Sequence, residues 1–136
     1  MKKRHVAALS AMIAGGAVCG LVPPPGPSRA RAAEATVSFK AEVLPIFEAN
    51  CVSCHHAPDG QGYKVSGLDL TSYQGVMKGT KYGPMVVPGE PDSSNLMWLL
   101  DWRADPELRM PHGEEQRPAN ERDTIRSWIR QGAKDN

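Results

Sequence analysis

The chain has 136 residues, with 16 Lys and Arg against 15 Asp and Glu and a formal net charge of +1; 40% of it is hydrophobic but only 6% aromatic. That length sets a single small domain with a modest core. Beyond residue 32 no basic run and no interleaving of basic with aromatic residues occurs, which excludes a nucleic-acid-binding surface.

Lys2, Lys3 and Arg4 precede a stretch without charge from Val6 to Val22, the pattern of a cleavable export signal over residues 1–32. Cleavage is expected after Ala32, with Ala30 at the minus-three position. Val18 in front of Cys19 argues against lipidation, where a small residue would be required. The apolar run is diluted by Gly15, Gly16 and Gly20 and ends at Pro23. It is near the lower length limit for a bilayer span, so membrane association is expected only if the segment stays uncleaved. Its loss removes five basic residues and no acid, leaving eleven basic against fifteen acidic side chains and a net charge of −4. The destination is periplasmic or otherwise exported.

Residues 33–38 read as a short leader and 39–136 as a single domain. Ser38 can cap a helix from Phe39 to about Asn50, where Phe39, Val43, Ile46 and Phe47 share one face. Pro45 requires that helix to start just before it or to bend. From Ala57 to Ser66 the composition predicts a surface loop. "GLDL" at 67–70 returns Leu68 and Leu70 to the interior, and "TSYQGVMKG" predicts a short helix ended by Gly79. The segment 82–91 predicts an extended loop turning at Pro88 and Gly89. A helix is expected over 93–103, capped by Asp92 or Ser93, with Leu96, Leu99 and Leu100 on one face. A second irregular stretch carries Met110. The last helix is expected to start from Asn120 as cap, pack through Ile125, Trp128 and Ile129 and stop at Gly132. No period-two alternation predicts a sheet, so the fold class is all-α, three to five helices joined by long loops. Such loops in a small domain need something to organise them, and a central prosthetic group would do so.

Cys51, Cys54 and His55 form C-x-x-C-H, which arises by chance on the order of once in a thousand chains of this length. In a c-type haem site the two thiols form thioethers with the haem vinyl groups, and the histidine becomes the proximal iron ligand. Three rival chemistries fit less well. Zinc needs four ligands and no second Cys pair exists, which leaves only His55, His56 or His112 to complete a set. A dithiol oxidoreductase expects a βαβ setting. A disulfide across two residues closes too small a loop to stabilise much. For the distal iron position the candidates are Met77, Met85, Met97, Met110, His56 and His112. Met97 lies among leucines and Met77 resembles it, so both read as core; His56 is too close to the proximal ligand to reach the opposite face. Met110, before Pro111 in a loop, is favoured, with Met85 and His112 as the alternatives.

The segments "FKAEVLPIFEANCVSCHH", "GLDLTSY", "VVPGEPDSSNLMWLL", "MPHG" and "IRSWIRQGA", in this order, resemble a class I c-type cytochrome of the planctomycete-type cytochrome c domain, over about Phe39 to Ala133. The resemblance implies a small cytochrome c-like fold around one covalent haem c, with Cys51 and Cys54 as thioether residues, His55 as proximal and Met110 as distal ligand. The family commonly reads Met-Pro-Pro where this chain has His112, which keeps a His ligand, or exchange between His112 and Met110, in play. It also implies that the first and last helices cross, with aromatic contact between Phe47 and Trp128. Trp98, Trp102, Arg103 and Arg109 are candidates for lining the haem or bonding its propionates. The expected function is single-electron transfer by a His/Met-ligated monohaem cytochrome, a monomer with transient redox protein partners. No acid, base and nucleophile constellation appears, so a carrier rather than an enzyme is expected. The alternative is a haem enzyme or a gas or redox sensor with an open or exchangeable distal position.

Overall fold

The computed structural model describes residues 35–136. The export signal, its cut after Ala32, the environment of Cys19 and the first two leader residues lie outside them.

The described residues are helical. A π-helical turn, Phe39–Val43, runs directly into α1, Leu44–Asn50. Then come α2, Gln61–Ser66, α3, Tyr73–Lys78, α4, Asn95–Leu100, and α5, Ala119–Arg130, with single 3₁₀ turns at Pro91–Ser93 and Pro106–Leu108. No strand occurs among the described residues, only an isolated bridge between Thr80 and Gly83. None of their helices is long and apolar enough to cross a membrane.

The first helix forms as its apolar spacing predicts, and Ser38 caps it by accepting from the Ala41 N–H at 3.2 Å. Pro45 is accommodated by both expected devices together: the chain starts with a wider turn, then enters α-geometry with Pro45 in the first turn. α3 forms between Ser72, whose hydroxyl accepts from the Gly75 N–H, and Gly79.

Three expectations need correction. The segment 57–66 is not all loop: α2 occupies its second half, with no capping side chain at Gly60 and two glycine-flanked ends, a composition that carries no helical signal. The helix expected over 93–103 is shorter, because the chain turns at Pro91–Ser93 first and α4 stops at Leu100. Ser94 stands at its N-terminus, yet its buried hydroxyl does not cap it; it donates to the Glu90 carbonyl and accepts from the Val87 N–H, both at 2.9 Å, and so fastens the 84–90 loop to α4. α5 begins at Ala119, one residue before the expected cap Asn120, and Pro118 precedes it without a capping bond.

One apolar core joins these elements through Phe39, Val43, Phe47, Val76, Met97, Ile125, Trp128 and Ile129. The N- and C-terminal helical segments meet as expected, but through a different aromatic pair. The Phe39 ring lies 5.2 Å from Trp128 and 5.4 Å from Tyr73, whereas Phe47 is directed to the cavity described below. The wide first turn brings Phe39, not Phe47, to α5. Asp101, just after α4, accepts from Arg122 at 2.7 Å and from Arg126, tying α4 to α5.

Candidate cofactor site

α1 ends at Asn50, and the next five residues form a tight turn. Its backbone is bonded from both sides: the Cys51 N–H donates to the Phe47 carbonyl, while the Cys54 and His55 carbonyls accept from the Tyr63 and Leu70 N–H groups. The C-x-x-C-H turn therefore sits between α1, α2 and the start of the 68–70 strip.

Two glycines permit this closeness. A Cβ at Gly60 would stand 2.4 Å from the Cys54 carbonyl oxygen and 2.7 Å from that of His56. One at Gly62 would stand 2.7 to 2.9 Å from three atoms of the His55 ring. Sequence reading passed over both glycines as loop punctuation; their two-residue spacing just after the C-x-x-C-H motif was the only available signal.

These elements enclose a cavity of about 930 Å³. Cys51, Cys54 and His55 line it together with Met110 and His112, with Met85, Leu68 and Leu96 also in the wall. All four residues expected to hold a haem are thus brought to one cavity, and so are both alternative distal ligands. Met77 and Met97 are absent from its wall and belong to the core. His56 is outside it too, its Nδ1 bonded to the Val52 carbonyl at 2.7 Å. Of the four residues considered for haem or propionate contact, only Trp98 lines the cavity. Arg103 stacks on Trp98 at 4.6 Å and pairs with Asp92, and Arg109 lies 5.5 Å from the Trp102 ring. No Lys or Arg lines the cavity, whereas Glu107 and Glu114 do.

The electrostatics favour neutral ligands. Burial pushes the Cys51 thiol up to about 11, against the pull of Arg117; Glu121 and Glu114 push the same way as burial. Among the described residues no three His, Cys, Asp or Glu side chains gather as a metal ion would need. Burial also lowers the basicity of His55, with the Leu68 backbone opposing in part through hydrogen bonding. The neutral imidazole is the form that ligates a metal. Among the described residues, His55 Nδ1 is the buried side-chain polar atom left without a hydrogen bond of good geometry.

The wall near the mouth is apolar where solvent would favour polar groups. Val65, Tyr82, Trp98 and Leu108 are exposed by 61, 80, 44 and 57% and all line the cavity. Such a concentration of exposed apolar surface marks a binding site for a large apolar ligand. A haem fits this donor set: two thiols, an imidazole with an unused nitrogen, a thioether and an apolar wall. Cys51 and Cys54 would hold it covalently, and His55 and Met110 would be the residues to ligate its iron.

Met110 is anchored through its backbone. Its N–H donates to the Leu99 carbonyl at 3.3 Å and its carbonyl accepts from Trp102 Nε1 at 3.1 Å.

Residues 51–114 match the family model for Planctomycete cytochrome C. The match covers the C-x-x-C-H turn, α2 to α4 and the Met110 loop. No curated protein and no solved structure matches the chain at a significant level.

Proposed function

Over residues 51–114 the chain belongs to the planctomycete cytochrome C family, and on that footing we propose that it is an exported electron carrier with one haem c, attached through Cys51 and Cys54 and ligated by His55 and Met110. The observation that carries this reading is the convergence of all four side chains on one cavity. When bound, the haem supplies a one-electron ferric/ferrous couple.

The remaining work falls to this chain's own residues. Gly60 and Gly62 let α2 close on the C-x-x-C-H turn and hold the His55 ring against rotation. The buried setting keeps His55 neutral and ready to ligate. The anchored backbone of Met110 would hold its thioether in place, which favours small reorganisation on electron transfer. The apolar wall excludes water, while the open mouth leaves an edge through which a transient protein partner exchanges electrons.

Met110 is preferred to Met85 because Met85 is buried within the hydrophobic core, whereas Met110 is only partly buried against it. One observation favours a second reading: His112 lines the same cavity two residues on, so a rearranged loop could exchange a thioether for an imidazole. The test is the optical spectrum of the matured protein beside Met110→Ala. Covalent haem is retained in both, and the variant loses the sulfur-to-iron band of the oxidised form and gains CO binding in the reduced form. An unchanged spectrum removes Met110 from the ligand set; a nitrogen-type spectrum in the wild type assigns the position to His112.

A further inference from the structure

We propose that Trp102 is a positioning residue for the distal ligand, holding Met110 in place through its indole N–H. The inference rests on the assignment of Met110 as ligand and names what sets its position.

The observation is a misplaced residue type. α4 ends in a Schellman arrangement: the Arg103 N–H donates to the Trp98 carbonyl at 3.0 Å and the Trp102 N–H to the Leu99 carbonyl at 3.3 Å. Trp102 therefore occupies the left-handed position of that motif, at φ +57°. α5 ends in the same way, the Ala133 N–H donating to Trp128 and the Gly132 N–H to Ile129, and there the left-handed position is held by Gly132 at φ +101°. Glycine is the residue this position selects, and a bulky aromatic is an outlier in it. Something other than the helix end keeps tryptophan at 102.

What the side chain does supplies the reason. From the left-handed backbone, Nε1 donates to the Met110 carbonyl at 3.1 Å, while the Met110 N–H reaches the Leu99 carbonyl at 3.3 Å. Both backbone polar groups of Met110 are thus bonded to the end of α4. The Arg109 guanidinium lies on the Trp102 ring at 5.5 Å, and its Nε donates to the Ala104 carbonyl at 3.3 Å, closing the 102–110 loop on itself. Gln116 adds a bond from beyond the loop to the Leu100 carbonyl at 3.1 Å. Trp102 does not itself line the cavity. It acts on the site only through Met110.

The test is a double-mutant cycle on the full-length, haem-loaded protein, with imidazole titrated into the ferric form as a competitor for the distal position. Trp102→Phe keeps the ring and deletes the donor. It retains covalent haem and binds imidazole about threefold to tenfold more tightly than wild type, the effect of one lost hydrogen bond on the competing ligand. In the Met110→Ala background the same substitution changes imidazole affinity by less than about twofold, because no thioether remains to be positioned. A purely structural role would loosen the pocket equally in both backgrounds. An equal change in both, or no change with Met110 present, overturns the proposal and leaves the ligand assignment standing. If Met110→Ala alone binds imidazole as wild type does, the assignment fails and this inference with it. Should Trp102→Phe not accumulate, hydrogen exchange of the wild-type Trp102 indole decides: protection supports the bond to Met110, and exchange at the rate of a free indole overturns it.

Discussion

His55 is placed by atoms that are not there. With no side chain at Gly62, α2 lies flat against the imidazole, and an added methyl would stand within 2.9 Å of Cε1, Nε2 and Nδ1. Gly62→Ala is expected to keep covalent haem while tilting the ring, reducing the low-spin fraction and costing about 1–3 kcal/mol by overpacking; spectra and thermal melts of the holoprotein check this. Gly60→Ala is expected to be worse, because the methyl meets carbonyl oxygens at 2.4 and 2.7 Å that cannot rotate away as a ring can. Equal stability of the two variants would contradict that ranking. Met85→Ala separates wall from ligand: the spectrum is expected to stay that of the wild type while stability falls by about 2–5 kcal/mol, as for other buried large-to-small changes. Trp102 pays about 1–2 kcal/mol for a left-handed backbone. In the sequence it was one of four candidates for lining the haem or bonding its propionates, because no residue-type preference foretells a tryptophan at a helix C-terminus.

At the scale of elements, the attachment of α4 to α5 depends on Asp101. Its side chain is only 10% exposed, and it receives Arg122 and Arg126, each 21% exposed. Removing its charge leaves two guanidiniums short of an acceptor in a half-dry interface. Asp101→Asn is expected to destabilise by about 1–3 kcal/mol. Asp92 also meets Arg126 and Arg103, yet it is 79% exposed, so Asp92→Asn should stay within about 0.5 kcal/mol. Denaturant midpoints of the two variants check the contrast, and similar losses in both would contradict it. The α1 and α5 segments were legible because an apolar stripe marked them, and α3 because Gly79 marked its end. α2 was not, since Gln61, Gly62, Tyr63 and Lys64 have no apolar period and its stability comes from docking on the C-x-x-C-H turn. The true end of α4 was hidden for a similar reason: Arg103 continues the face of Leu96, Leu99 and Leu100, and only the backbone shows the reversal at Trp102, φ +57°.

For the whole molecule, the cavity sets the balance of stability. Left without a ligand, an apolar cavity of about 930 Å³ costs a small domain the packing contacts along its whole wall. The open mouth admits water and lowers that cost, but the wall of Leu68, Leu96, Leu100 and Phe47 gives water few partners. The fold is thus expected to gain stability from its ligand. Cys51→Ala/Cys54→Ala, which cannot attach haem, is expected to lose most of its helical circular dichroism, and native-like dichroism without haem would contradict the coupling. The sequence carried this dependence openly, in a thin apolar inventory, long loops and one strong motif. The choice among Met85, Met110 and His112 stayed open there, because all three come from irregular segments and reach one cavity. The intact mass of the exported, matured protein tests the central claim most directly. The account predicts the polypeptide plus one haem, unchanged by denaturation and lost in the double cysteine variant; the mass of the polypeptide alone, from a colourless sample, would contradict it.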